Sequence, residues 1–108
     1  MSAPFVTQLR ARPDTIRMAG AGDQVITIRV EMPDVWDVVR IEVAPTATVQ
    51  QVKERALAAL LPQAQYPEDF VVKLSGWEVL NEDESLAGVG VVDGSILLLT
   101  HRRRRPLR

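Results

Sequence analysis

Apolar and polar residues alternate along two stretches in the first half of the chain. Between residues 25 and 32, Ile26, Ile28 and Val30 alternate with polar or charged side chains, and residues 39–43 repeat the pattern. A period of two residues predicts a strand with one buried face. Because only the short polar segment PDVWD separates the two stretches, we predict a β-hairpin.

The period changes to that of a helix in the next stretch, APTATVQQVKERALAALL. Apolar residues there recur at three- and four-residue spacing, at Val49, Val52, Ala56 and Leu60. This spacing predicts one apolar helix face, with the polar and charged residues mostly on the other sides, namely Gln51, Lys53, Glu54 and Arg55. Thr48 is suited to cap the first turn, and Pro62 should end the helix.

Three further segments complete the pattern: residues 70–74, a short piece around Val79 and Leu80, and residues 95–99. The order strand, strand, helix, strand, short strand, strand predicts an α+β fold, in which one main helix packs across a mixed sheet of four to five strands. We expect a shared core containing Ile28, Val30, Ile41, Val43, Val49, Val52, Leu74, Leu97 and Leu99.

The two ends of the chain lack the strand and helix spacing of the segment between them, which we call the body. Residues 1–23 contain prolines, spaced arginines and the stretch AGAGD, which predict a flexible leader. Residues 24–101 form the predicted domain, and residues 102–108 form a basic tail. The net charge is -1, but five of the 13 basic residues lie in that tail, so the body before it is acidic. We therefore expect no nucleic-acid binding by the body, whereas contact of the tail with nucleic acid or anionic lipid stays an alternative.

Composition excludes several kinds of chemistry. Without cysteine, the chain has no disulfide and no thiolate metal site. No apolar run approaches the roughly 18 residues of a membrane span, and no signal-peptide pattern precedes the body. We expect a cytoplasmic protein that does not insert into membranes.

We also expect no catalytic residue, cofactor or metal site. His101 is the only histidine, and the end of a strand is a poor support for a catalytic triad. The adjacent acids Glu82, Asp83 and Glu84 are typical of a solvated turn. Three glycines, Gly88, Gly90 and Gly94, do not run from a strand into a helix as a phosphate loop does. Their expected role is to allow tight backbone turns.

The strand register predicts a docking surface on the face of the sheet away from the helix. If Leu97 and Leu99 point inward, their neighbours Ile96 and Leu98 point outward. We expect a partner to contact Arg29, Val71, Lys73, Trp77, Ile96 and Leu98.

Trp36 and Trp77 either pack on the sheet edge or stand exposed as anchors. The tail residues His101, Arg102, Arg103, Arg104 and Arg105 should project into solvent as a tether to an acidic or phosphate-rich surface.

The order and spacing of these segments resemble the ubiquitin-like β-grasp superfamily over residues 25–102. PTATVQQVK, with Pro45, Thr48, Val49, Val52 and Lys53, is similar to the family's helix entrance. LSGWEVL corresponds to its strand, turn and return strand. The ending LAGVGVVDGSILLL is most like the bacterial YukD/EsaB-type proteins and the related EccD domain of type VII secretion machines.

This resemblance implies a non-catalytic module that binds other proteins, such as components of a secretion machine. The alternative is a modifier that is conjugated to targets after a peptidase trims its tail, which would require activating and conjugating enzymes. The chain departs from ubiquitin in two places: Arg105 and Pro106 stand where ubiquitin has Gly-Gly, and Lys73 replaces an exposed isoleucine. Ubiquitin's own readers should therefore bind poorly.

Overall fold

Six strands form one mixed sheet in the computed structural model, which describes residues 15–20, 22, 24–64 and 66–102. They are β1 Thr15–Arg17, β2 Ile26–Met32, β3 Asp37–Val43, β4 Phe70–Leu74, β5 Trp77–Glu78 and β6 Ile96–His101. Across the sheet the order is β1, β3, β2, β6, β4, β5. The β2–β6 and β1–β3 pairs are parallel and the others are antiparallel. The predicted α+β class and hairpin are confirmed, with six strands rather than four or five.

The additional edge strand β1 corrects the prediction of a leader over residues 1–23. Thr15–Arg17 pairs with β3, and the Ile16 side chain is buried in the core. An ion pair of 2.9 Å joins Arg17 Nη1 to Glu42 Oε1 on the neighbouring strand. Three residues are too few to show a period in the sequence, so only the pairing reveals this strand. Residues 1–14 lie outside the described part of the chain.

The one α-helix among the described residues, α1 (Val49–Leu60), begins with the predicted Thr48 cap. Thr48 Oγ1 accepts a hydrogen bond from the backbone N–H of Gln51, and Gln51 Oε1 accepts one from the backbone N–H of Thr48. This reciprocal capping box satisfies two backbone donors that a helix start leaves free. The four predicted apolar positions are buried, together with Leu57 and, contrary to prediction, Lys53.

Helix and sheet enclose one apolar core. Eight of the nine predicted core residues are buried, and Leu74 is half-buried because it stands at the end of β4 beside a surface turn. Further buried residues include Met32, Val39, Phe70, Leu86 and Val91. Each buried aliphatic side chain of this size contributes about 1.5 to 3 kcal/mol relative to exposure, so the core is the main source of stability.

A two-residue turn joins β4 to β5. Ser75 and Gly76 both have positive φ, of 54° and 86°, and this backbone reverses the chain so that Leu74 pairs directly with Trp77. The short strand is therefore Trp77–Glu78, two residues before the predicted position around Val79 and Leu80. Leu80 lies outside the strand and is exposed.

Hydrogen bonds order the chain past the predicted end of the domain at His101, which is the last residue of β6. The backbone N–H of His101 donates to Asp34 Oδ2 at 3.2 Å, and that of Arg102 donates to the Asp69 carbonyl at 2.6 Å. Arg102 thus belongs to the folded body and not to a projecting tail. Arg103, Arg104 and Arg105 lie outside the described residues. No helix within the described ranges is long and apolar enough to cross a membrane.

Candidate functional site

The outer face of the sheet, which points away from α1, carries two rows of side chains that cross several strands. Strand pairing defines the first row as Val38, Glu31, Leu98, Lys73 and Glu78. It defines the second row as Thr15, Arg40, Arg29 and Ile96. Directly opposed side chains lie on one face of a sheet. Four predicted docking residues, Arg29, Lys73, Ile96 and Leu98, are therefore on the outer face as expected.

Apolar side chains are accessible in both rows. Ile96 is 47% exposed, Val38 is also exposed, and Leu98 is half-buried. A cavity of about 330 Å³ beside Ile96 is lined by Arg29 and Arg40 among other residues. The outer face thus offers apolar contact surface next to guanidinium groups, the combination that occurs at protein interfaces.

Arg29 and Arg40 face each other directly across β2 and β3. Opposed like charges destabilise a sheet. Among the residues that the structure describes, neither guanidinium has an ion-pair partner. The pair leaves a concentration of positive charge on the outer face of an otherwise acidic body.

Two of the predicted docking residues do not belong to this surface. Val71 pairs with Thr100 on the outer face but is only 5% exposed. Its short side chain lines a cavity together with the longer Lys73, Glu78 and Arg102, so it presents almost no area to a partner. Trp77 pairs with Leu74, whose side chain packs against the core, and so lies on the opposite face of the sheet.

Within the described part of the chain, Trp36 is the most exposed large apolar residue, at 94%. It follows the 3-10 turn Pro33–Val35 and has a left-handed backbone conformation, with φ 55° and ψ 43°. This conformation is costly for a bulky side chain. Neither core packing nor backbone preference explains a tryptophan here. Both tryptophans are exposed, so neither packs down on the sheet edge.

A second surface lies at the sheet edge formed by β5. Two cavities, of about 430 and 420 Å³, share the walls Glu78, Val79, Leu80 and Asn81. We name their union the edge groove. Its apolar end is lined by Leu74, Trp77, Leu80 and Val89. Its acidic end is lined by Glu54, Glu68, Glu78, Glu82 and Asp83, with Lys53 and Arg102 as the basic residues.

Lys53 fixes the wall of the edge groove. Its side chain is 3% exposed, and Nζ donates to the Phe70 carbonyl at 3.0 Å and forms an ion pair with Glu82 Oε1 at 2.6 Å. The acidic loop is also held by the backbone N–H of Gln50, which donates to the Glu82 carbonyl. The helical spacing placed Lys53 away from the apolar face, and a cation is rarely buried without a partner. The partner comes from a loop about 30 residues away, which periodicity cannot reveal.

The histidine and the glycines that were considered for catalysis or phosphate binding make packing contacts or form turns in the fold. The His101 ring packs edge-on against Phe70, with centroids 5.0 Å apart. Gly90 and Gly94 have positive φ, as expected for tight turns, and a side chain at Gly88 would press against Glu84 and Ser85. Within the described residues, no group of three or more histidines or acids is arranged to hold a metal ion.

The fold is that of ubiquitin-like domains. An Arabidopsis thaliana ubiquitin-like domain superposes with a TM-score of 0.63 at 18% identity, covering 84% of this chain and 92% of the domain. The ubiquitin of Caldiarchaeum subterraneum has a TM-score of 0.63 at 24% identity, covering 77% of this chain and 100% of that protein. The C-terminal ubiquitin-like domain of mouse tubulin-specific chaperone E has a TM-score of 0.62 at 19% identity, covering 83% of this chain and 99% of that domain.

The sequence matches no protein-family model and no curated protein. At identities below 25%, the structural likeness establishes the fold alone. It agrees with the expected ubiquitin-like β-grasp architecture: one helix packed on a mixed sheet, with the first and last strands of the core parallel at its centre.

Proposed function

We propose that the chain is a non-catalytic protein-interaction module that docks a partner on the outer face of its sheet. The observation that carries this proposal is the exposed Ile96 beside the Arg29–Arg40 pair, which has no neutralising partner among the described residues. Burying an exposed aliphatic side chain stabilises a complex. An acidic group on the partner would relieve the repulsion between the two guanidiniums and increase the association rate.

The proposed partner is a component of a bacterial type VII secretion-like assembly, of which this chain would be a cytoplasmic accessory subunit. The resemblance of LAGVGVVDGSILLL to YukD/EsaB-type proteins supports this choice. The proposal requires no cofactor and no membrane insertion. Its site is Arg29, Lys73, Ile96 and Leu98, with Arg40 and Val38 added from the cross-strand rows.

A modifier conjugated to targets after C-terminal trimming is the second candidate. The likeness to the ubiquitin of Caldiarchaeum subterraneum, which the chain covers along its whole length, favours it. The guanidinium of Arg102 lies near Glu78, and its backbone N–H is hydrogen bonded to Asp69. A peptidase needs an extended substrate segment, so the trimming point would lie beyond Arg102.

Affinity capture from the source cells tests the docking proposal. Ile96→Asp should remove the captured partner, because a carboxylate would replace the apolar contact. Ala58→Asp, on the exposed side of α1, introduces the same charge away from the outer face and should leave capture unchanged. Equal capture by wild type and Ile96→Asp would contradict the proposal.

Intact-mass spectrometry of the protein from its own cells separates the two candidates. An accessory subunit should keep a mass that ends at Arg108. A mass that shows cleavage after Arg102 and before Arg108, together with heavier conjugates, would support the modifier and reject the accessory subunit.

A further inference from the structure

We propose that the edge groove binds a basic peptide segment of a partner protein, in which an apolar side chain is followed by arginine or lysine residues. This inference does not depend on the outer face, because the groove lies at the β5 edge of the sheet and is lined by different residues apart from Glu78 and Arg102. The apolar end of the groove would bind the apolar side chain of the ligand, and the adjoining acidic end would bind its basic residues.

Continuity of the two cavities sets the form of the ligand. Glu78, Val79, Leu80 and Asn81 line both, so one extended segment can contact both without leaving the surface. The segment should pass from the apolar end to the acidic end. A compact ligand would fill only one of the two cavities.

The apolar end provides exposed contact area. Trp77 is 79% exposed and Leu80 is 85% exposed, while Val89 and Leu74 form a half-buried floor. Tryptophan is the residue type most enriched among interface residues that carry binding energy. The turn at Ser75 and Gly76, both with positive φ, and the pairing with Leu74 hold the backbone of Trp77 at this edge of the sheet.

The acidic end provides charge complementarity. Five carboxylates line it against two basic side chains, each of which already has an acidic partner. Glu54, Glu68 and Asp83 have no ion-pair partner among the described residues. Clefts lined by one sign of charge concentrate ligands of the opposite sign. The acidic end should therefore attract a cationic segment.

Arg102 shows that the acidic end of the edge groove accommodates a guanidinium group. Its Nε donates to the Glu68 carbonyl at 3.3 Å, and Nη1 lies 3.6 Å from Glu78 Oε2. Carbonyl and carboxylate oxygens at such positions are suited to the fork of donors that an arginine presents. An arginine of the ligand would use the remaining carboxylates in the same way.

Selection from a library of short random peptides displayed on phage tests the proposal with the full-length chain. Enriched sequences should contain an aromatic or aliphatic residue next to arginines or lysines. The affinity of a selected synthetic peptide is then measured by fluorescence in a Trp36→Phe background, which leaves Trp77 as the single tryptophan. Burial of Trp77 should shift its emission to shorter wavelength. Raising ionic strength from about 0.05 M to about 0.5 M should weaken binding about tenfold.

Two matched pairs of variants locate the site. Leu80→Asp should weaken peptide binding about tenfold or more, whereas Ile96→Asp on the outer face should not. Asp83→Lys should weaken it similarly, whereas Glu31→Lys changes the net charge equally on the outer face and should have little effect. Because Ile96→Asp removes the proposed outer-face partner and Leu80→Asp does not, failure of one proposal is distinguishable from failure of the other.

Several outcomes would overturn the inference. One is enrichment of acidic or uncharged peptides, or binding that is equal in Leu80→Asp and wild type. If only a chain that ends at Arg102 selects peptides, the occupant is the chain's own residues 103–108 and not a partner. If sedimentation shows a dimer that Leu80→Asp dissociates, the occupant is a second copy.

Discussion

Lys53, on the buried side of α1, forms an ion pair of 2.6 Å with Glu82 in the loop after β5. The lysine is 3% exposed, whereas the glutamate side chain keeps some contact with solvent, at 18%. The two partners are therefore unequal: without Glu82 the ammonium group stays buried, but without Lys53 the carboxylate can turn towards water.

This asymmetry predicts that Glu82→Gln destabilises the fold more than Lys53→Met. Removing one partner of a buried ion pair costs about 3 kcal/mol when the remaining charge is enclosed. Lys53→Met should cost about 1 kcal/mol, because the apolar replacement fits the core but loses the hydrogen bond to Phe70. Urea unfolding measures the free energy of unfolding of both variants. Asp83→Asn, at the exposed neighbouring residue, is the control and should leave that free energy nearly unchanged. The reverse order would contradict this account of the pair.

Trp36 should be replaceable by glycine with a gain in stability. Its positive φ costs a bulky residue about 1 kcal/mol, and its exposed ring contributes little packing in return. Trp36→Ala keeps the Cβ atom that causes the strain and should be nearly neutral. Thermal unfolding of the two variants separates strain from packing. A lower melting temperature for Trp36→Gly than for Trp36→Ala would show that strain is absent.

Adjacent residues on β6 test the strand register. Leu97 is fully buried, so Leu97→Ala should cost about 2 to 5 kcal/mol through lost burial and the cavity left behind. Ile96→Ala should cost less than about 1 kcal/mol because the side chain lies on the outer face. Denaturant unfolding of both variants provides the comparison. If the two variants lost similar amounts of unfolding free energy, both side chains would be buried to the same extent, which would contradict the strand register of β6.

The opposed Arg29 and Arg40 predict a stabilising substitution on the outer face. Arg40→Glu replaces a like-charge cross-strand pair with an attractive one and should gain about 0.5 kcal/mol at low salt. The gain should fall as salt screens the charges. Arg55→Glu on the exposed side of α1 changes the net charge equally and should give no such gain. A salt-independent gain would point to packing and not to charge.

Local sequence patterns determined the principal strands, the helix and the α+β class. The alternation in β2 and β3 and the helical spacing of Val49, Val52 and Ala56 arise from the geometry of one element at a time. The Thr48 cap is equally local, since its partner Gln51 is three residues away. Such features need no knowledge of the remaining chain. The outward orientation of Ile96 and Leu98 followed from the same period of two.

Tertiary structure alone decided which of these surfaces are available. Thr15–Arg17 becomes a strand because β3 offers a free edge, and Lys53 becomes buried because Glu82 comes close enough to neutralise it. Val71 faces outward yet is covered, and Trp77 lies on the other face because a two-residue turn sets its pairing. Each outcome depends on contacts between residues distant in sequence. Periodicity specifies which side of an element a residue occupies, but burial also depends on what the rest of the chain places against that side.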